Sequence, residues 1–230
     1  MKIIYEGHSC FQILGNWGPR ILLDPFISGN PFCEKSPQDF KPELILVSHG
    51  HSDHLGDALE IAKANGATLA ASVDLLQVLD ISGLKTIGFN MGGGFEFKEA
   101  KIHMMPASHG SNVNGAYAGL ACGYMIHLED KNLYFAGDTA IFGDMEKVLS
   151  RYEIDCAMLP IGGFYTMGPK DAITAAKWLK AKTVIPMHYN TFPVIKQDVW
   201  EFKEELEEKT SSKCLVLGPG QDTELGDSES

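Results

Sequence analysis

Three short runs in which apolar, β-favouring residues dominate open the chain: "KIIYEG" (2–7), "CFQILG" (10–15) and "RILLDP" (20–25). Bounded by turn residues at Gly15-Asn16 and Gly18-Pro19, these runs predict strands. "ELILVSH" (43–49) is apolar without alternation, the pattern of a buried strand. The pattern then changes. In "LGDALEIAKANG" (55–66), Leu55, Ala58, Leu59 and Ala62 fall at helical spacing and Gly66 supplies a stop. "ATLAAS" (67–72) reads as a strand, "VDLLQVLDIS" (73–82) as a helix and "LKTIGF" (84–89) as a strand.

The same order recurs in the second half. "GFEFKEAKIHMMPA" (94–107) and "ACGYMIHLEDKNLYFAGD" (121–138) predict hairpins, followed by a short helix at 144–150 and the strand "DCAMLPIG" (155–162). The helix "PKDAITAAKWLKA" (169–181) opens on Pro169, which suits a first helical position. The strand "KTVIPMH" (182–188), the helix "DVWEFKEELEEK" (198–209) and a last strand in "KCLVLG" (213–218) complete the pattern. No Pro-, Gly- or Ser-rich linker separates the halves. The expectation is one α/β (α+β) domain over 1–225, with mixed sheets, helices outside, and a polar, disordered tail at 226–230.

Composition changes this picture mainly by exclusion. Nineteen basic against thirty acidic side chains give a net charge of -11, with no Lys/Arg cluster, which speaks against a nucleic-acid partner. The five cysteines (10, 33, 122, 156 and 214) lie far apart, in neither a disulfide nor a zinc-ribbon pattern. The first residues lack an apolar signal core, and no apolar run nears the roughly 20 residues of a membrane helix. The reading is a cytoplasmic protein with no membrane partner; a homo-oligomer is left open.

The chemistry is concentrated in "SHGHSDHLG" (48–56), where His49, His51, Asp53 and His54 place four potential metal ligands within six residues. On an extended segment His49 and His51 point the same way, and Asp53 and His54 sit where the chain turns into a helix. Asp53 or Ser52 alone could be a helix cap, but four donors so close are poorly explained that way. His109, Asp138 and His188 each follow an apolar strand-like run, and strand ends are where α/β folds carry their sites. Imidazole and carboxylate suit zinc, iron or manganese.

The pattern H-x-H-x-D-H, followed by isolated His, Asp and His at strand ends, resembles the metallo-β-lactamase superfamily. "GHSCFQI", "LLDPFISGNP", "DTAIFGDM", "PIGGFYTMGP" and "PMHYNTFP" are similar to a branch of metal-dependent hydrolases related to the sugar-phosphate lactonases. The resemblance implies a four-layer αβ/βα sandwich with metals in the cleft at the sheet edges. It implies that His49, His51 and His109 hold one ion, that Asp53, His54 and His188 hold a second, and that Asp138 bridges both. Asp24 matches an acid that orients the His-rich loop. His8 would lie near the metals as a substrate contact or proton shuttle.

Two divalent ions, zinc first and manganese, iron or nickel as alternatives, imply hydrolysis of an ester, lactone or phosphoester by a metal-bridging hydroxide, with Asp53 assisting. The substrate would be a small molecule, and an anionic one is compatible with the site. The flavin-linked di-iron relatives carry Glu at the position of His51, so a redox role is disfavoured; a non-catalytic binding protein is the remaining rival. Tyr165, Thr166 and Asn190 are candidates to reach the substrate. His103, His127, Met104, Met105 and Met187 read as ordinary strand or core residues, and the "MGGG" at 91–94 as a turn.

Overall fold

In the computed structural model, which describes residues 1–226, the strand-like runs become two seven-stranded mixed sheets. The first is built from β1 (Lys2–Gly7), β2 (Cys10–Leu14), β3 (Arg20–Leu23), β4 (Leu44–Leu46), β5 (Thr68–Ser72) and β6 (Lys85–Phe89). The second takes β7 (Gly94–Phe97), β8 (Ala100–Pro106), β11 (Cys122–Leu128), β12 (Lys131–Phe135), β13 (Cys156–Pro160), β14 (Thr183–Met187) and β15 (Lys213–Cys214). Between them in sequence, β9 (Asn112–Val113) and β10 (Ala116–Tyr117) form a small hairpin. The last strand, β16 (Asp222–Glu224), returns to the first sheet beside β1.

Each sheet begins antiparallel and ends parallel, the order the two halves of the sequence share. In the first, β3 to β6 run parallel; in the second, β12 to β15 do. Period-two alternation assigns the faces. Ile21, Leu23, Leu44 and Leu46 join Tyr124, Phe135 and Met158 in the core between the sheets. The intervening Leu22, Ile45 and Leu69 pack outward against α2 (Ala58–Asn65) and α3 (Val73–Gln77). On the far side, Ala172, Ala176 and Leu179 of α5 (Pro169–Leu179) and Phe202 and Leu206 of α6 (Val199–Lys209) cover the second sheet. The layers are therefore helix, sheet, sheet, helix. Two short helices, α1 (Ser52–Leu55) and α4 (Asp144–Lys147), sit in connections.

Four elements depart from the sequence pattern. The helical run from Leu55 breaks at Gly56, whose φ is +42°; a Cβ there would lie 2.3 Å from the carbonyl oxygen of Pro25. The close approach lets Asp57 bind the backbone of the 25–28 loop: its Oδ2 accepts from Ile27 N (3.0 Å) and Ser28 N (2.7 Å). The helix expected over 73–82 stops at Gln77, because Asp80 Oδ1 captures Ser82 N and Gly83, at φ +77°, turns the chain. The strand in "KCLVLG" shortens to two residues, and β16 forms in a stretch with no alternation. The polar tail expected at 226–230 lies, beyond Gly226, outside the described residues. All five cysteines are free, and among the described residues no helix is long and apolar enough to cross a membrane.

Candidate metal centre

The predicted donors gather at one edge of the two sheets, each carried by a strand end. His49 and His51 follow β4, with α1 adding Asp53 and His54; Asp24 follows β3; His109, Asp138 and His188 follow β8, β12 and β14. His8 enters from the turn between β1 and β2. Three of these residues hold a left-handed backbone that ordinary side chains avoid: His8 at φ +58°, Asp24 at +39° and His188 at +54°. Such conformations cost on the order of 1–3 kcal/mol each and persist where the surroundings over-determine them.

The donors form two main groups, and a third, buried set of Asp24, His49 and His54 links them. His49, His51 and His109 bring one nitrogen each within 4.8 Å of one another, and so do His8, Asp53, His54 and His188 with one ligand atom apiece. Asp138 stands between the groups. Its Oδ2 is 3.1 Å from His188 Nε2, 3.5 Å from His109 Nε2 and 4.0 Å from His49 Nε2, while its Oδ1 is 3.2 Å from His54 Nε2.

Asp24 sets the tautomers. Buried completely, its Oδ1 accepts from Ser48 N (2.7 Å), and its Oδ2 accepts from Ser48 Oγ (2.5 Å) and His54 Nδ1 (2.6 Å). Ser48 Oγ, having donated to Asp24, accepts from His49 Nδ1 at 2.9 Å. Both imidazoles thus keep a hydrogen on Nδ1 and turn Nε2 toward Asp138. With its oxygens so engaged, Asp24 orients the loop.

This arrangement fits a metal. His54 Nε2, Asp138 Oδ1 and His188 Nε2 are buried and have no hydrogen-bond partner, although His54 Nε2 and His188 Nε2 each lie barely 3 Å from an Asp138 oxygen. A buried polar atom left unsatisfied costs about 1–3 kcal/mol, and a cation shared among these three would satisfy them together. The protonation pattern agrees. Burial opposes charge on His54, but Asp138 and Asp24 outweigh it and raise its pKa well above the usual value. Burial likewise opposes ionisation of Asp138, and His54 and His188 outweigh it and hold its carboxyl well below the usual range. The centre demands positive charge. Burial keeps His49 neutral and lowers His109, as ligand imidazoles require.

A cleft of about 510 Å³ opens onto the donors, lined by Phe26, His51, Ser52, Asp53, His109, Asp138, Tyr165, His188 and Phe192. Of the other candidates, Tyr165 alone reaches it. Thr166 is buried, with its hydroxyl turned to the Met167 carbonyl, and Asn190 Oδ1 accepts from Gln197 N, closing a turn away from the cleft. His8 has no exposed surface and does not line the cleft. Sequence reasoning overlooked Ser48, Thr191 and the walls Phe26 and Phe192. Ser48 carries no signal beyond its place before His49, and Phe192 lies unremarked in "PMHYNTFP".

Two face-to-face mixed sheets, outer helices and a His/Asp seam along strand ends define the metallo-β-lactamase fold. The family described as the Beta-lactamase superfamily domain matches residues 2–188. A UPF0173 metal-dependent hydrolase of Natranaerobius thermophilus is 44% identical over 225 residues, covering 98% of this chain and all of that protein. One from Bacillus cereus is 47% identical over 224 residues, covering 95% and 98% of the two chains. The solved structure of a metallo hydrolase from Ignicoccus hospitalis, 37% identical, superposes with a TM-score of 0.88 over 96% of this chain and 97% of that one. The chain belongs to the UPF0173 family of metal-dependent hydrolases.

Proposed function

We propose that the chain is a dinuclear hydrolase that cleaves an ester, lactone or phosphoester bond of a small molecule. His49, His51 and His109 would hold one ion; Asp53, His54 and His188 would hold the other, with Asp138 shared. The observation that carries this reading is the pair of donor groups flanking Asp138, with His54 Nε2, Asp138 Oδ1 and His188 Nε2 buried and unpartnered beside it. The donor set suits zinc first, with manganese, iron or nickel as alternatives. Bound there, the ions would supply Lewis acidity and an activated water at neutral pH.

The chain's own residues do the rest. Asp53, whose side chain is 25% exposed, lines the cleft and offers an oxygen that can take a proton from the attacking group and pass it to the leaving group. Phe26 and Phe192 form one wall and Tyr165 another, excluding water from the flanks of the scissile bond. Among the described lining residues there is no lysine or arginine, so the charge of an anionic substrate would be met by the proposed ions rather than by a side-chain cation. The five free cysteines support a reducing compartment such as the cytoplasm. We further propose that residues 1–225 act as one domain.

Elemental analysis of metal-replete protein, with a screen over neutral esters, lactones, thioesters and phosphodiesters, tests the proposal. Two ions per chain and turnover lost in Asp138→Ala are expected. An undiminished rate in Asp138→Ala would overturn the mechanism.

A further inference from the structure

His8 is the one buried imidazole at the centre to which the reading above gives no role. Its Nε2 lies 3.1 Å from Asp53 Oδ2 and its Nδ1 lies 2.9 Å from Thr191 Oγ1. An ionised carboxylate has only acceptor sites, so the hydrogen sits on His8 Nε2, and the Thr191 hydroxyl donates to Nδ1. The ring has no freedom to turn. Phe26 and Phe192 present edges to it at centroid distances of 5.5 and 5.4 Å, and the His188 ring packs 4.0 Å away. Its backbone is fixed too: the His8 carbonyl accepts from His188 N at 2.7 Å and from the Tyr5 hydroxyl at 3.1 Å.

We infer that His8 is the positioning residue for Asp53, and that through Asp53 it selectively strengthens the second of the two proposed metal positions. The inference rests on the two-ion reading. Asp53 sits on a four-residue helix at the open side of the cleft, where an unsupported carboxylate would swing into water. A buried N–H donor on one oxygen holds the carboxylate in place, as partners behind a metal ligand generally do. Selectivity follows from the contacts. Asp53, His54 and His188, all in the second group, adjoin the His8 ring, whereas His49, His51 and His109 form the other group. His8 comes from the first sheet and Thr191 from beyond β14 of the second, so the support spans both halves of the fold.

The test titrates full-length apoprotein with Co²⁺ alone, following its visible d–d bands, with elemental analysis for stoichiometry and circular dichroism for folding. Wild-type protein is expected to take two ions. His8→Leu, which fills the space without a donor, should leave the first ion's affinity unchanged and weaken the second by about tenfold to a hundredfold. His8→Gln, whose amide N–H can reach toward Asp53, should recover second-ion affinity to within a few-fold. Two ions bound to His8→Leu with wild-type affinity would overturn the inference. Equal loss of both ions in the Leu and Gln variants would also overturn it, since that marks a purely structural role. Should His8→Leu fail to fold, Thr191→Val carries the test: a weaker second ion supports the assignment, and unchanged binding refutes it. A wild-type protein that takes only one ion sinks the two-ion reading itself, a result distinct from any variant's behaviour.

Discussion

Replacing Asp24 with asparagine changes one oxygen to an amide nitrogen, yet it should reverse two histidines. The carboxylate accepts three hydrogen bonds, two of them at Oδ2 from Ser48 Oγ and His54 Nδ1. If the amide nitrogen replaces Oδ1, it faces the Ser48 backbone N–H, donor against donor. If it replaces Oδ2, every contact can be satisfied, but only by inversion. His54 must then accept at Nδ1, and Ser48 Oγ must accept from the amide and donate to His49 Nδ1. Both rings then carry hydrogen on Nε2, the atom turned toward Asp138. Ligation at each requires moving that hydrogen back, so metal affinity should fall about tenfold to a hundredfold, or roughly 1.4–2.7 kcal/mol. The apoprotein, its hydrogen bonds remade, should lose little thermal stability. Competition with a fluorescent chelator gives the affinity, and a melt of the metal-free protein gives the stability. Wild-type affinity in Asp24→Asn would refute the tautomer argument; a collapsed apoprotein would show that Asp24 holds the fold more than it holds the ligands.

Two further outcomes follow from the site. Metal at a hundred times its dissociation constant should stabilise the folded chain by about 2.7 kcal/mol, a rise in Tm of roughly 5–11 °C that a chelator reverses; a Tm indifferent to chelator would count against a metal held by folded-state donors. Tyr165→Ala, removing a half-exposed ring at the cleft mouth, should raise KM for aryl esters about threefold to tenfold and leave kcat within about twofold. Steady-state kinetics decide it: a fall in kcat at constant KM would assign Tyr165 to the chemistry instead of to binding.

The candidate donors stand out in the sequence because each one breaks a local pattern. His109, Asp138 and His188 are polar residues placed directly after apolar runs, and "HGHSDH" concentrates four donors where a loop was due. The strands bearing them were legible for the same reason, since burial imposes a period on sequence. What escaped was whatever depends on contacts distant in the chain. Ser48 gains its role from Asp24, 24 residues away, and Thr191 from His8, 183 residues away. Asn190 looked placed for substrate, but a left-handed backbone at φ +61° turns its side chain into the turn with Gln197. β16 is invisible by period because three residues at a sheet edge bury almost nothing.

The donors hang from the ends of β4, β8, β12 and β14, whose side chains interlock in the core, while Tyr165 projects from an exposed loop with Phe164 standing free beside it. On the proposed reading, reactivity and recognition thus fall to parts of the molecule that can vary separately. A descendant could change the exposed tip at 163–165 and alter the cleft mouth, provided it kept Gly162 against the His188 carbonyl and Met167 N on the carbonyl of Thr139, beside Asp138. A change beneath a donor strand would disturb the chemistry for every substrate at once. Evolution on this scaffold has a fixed engine and replaceable doors.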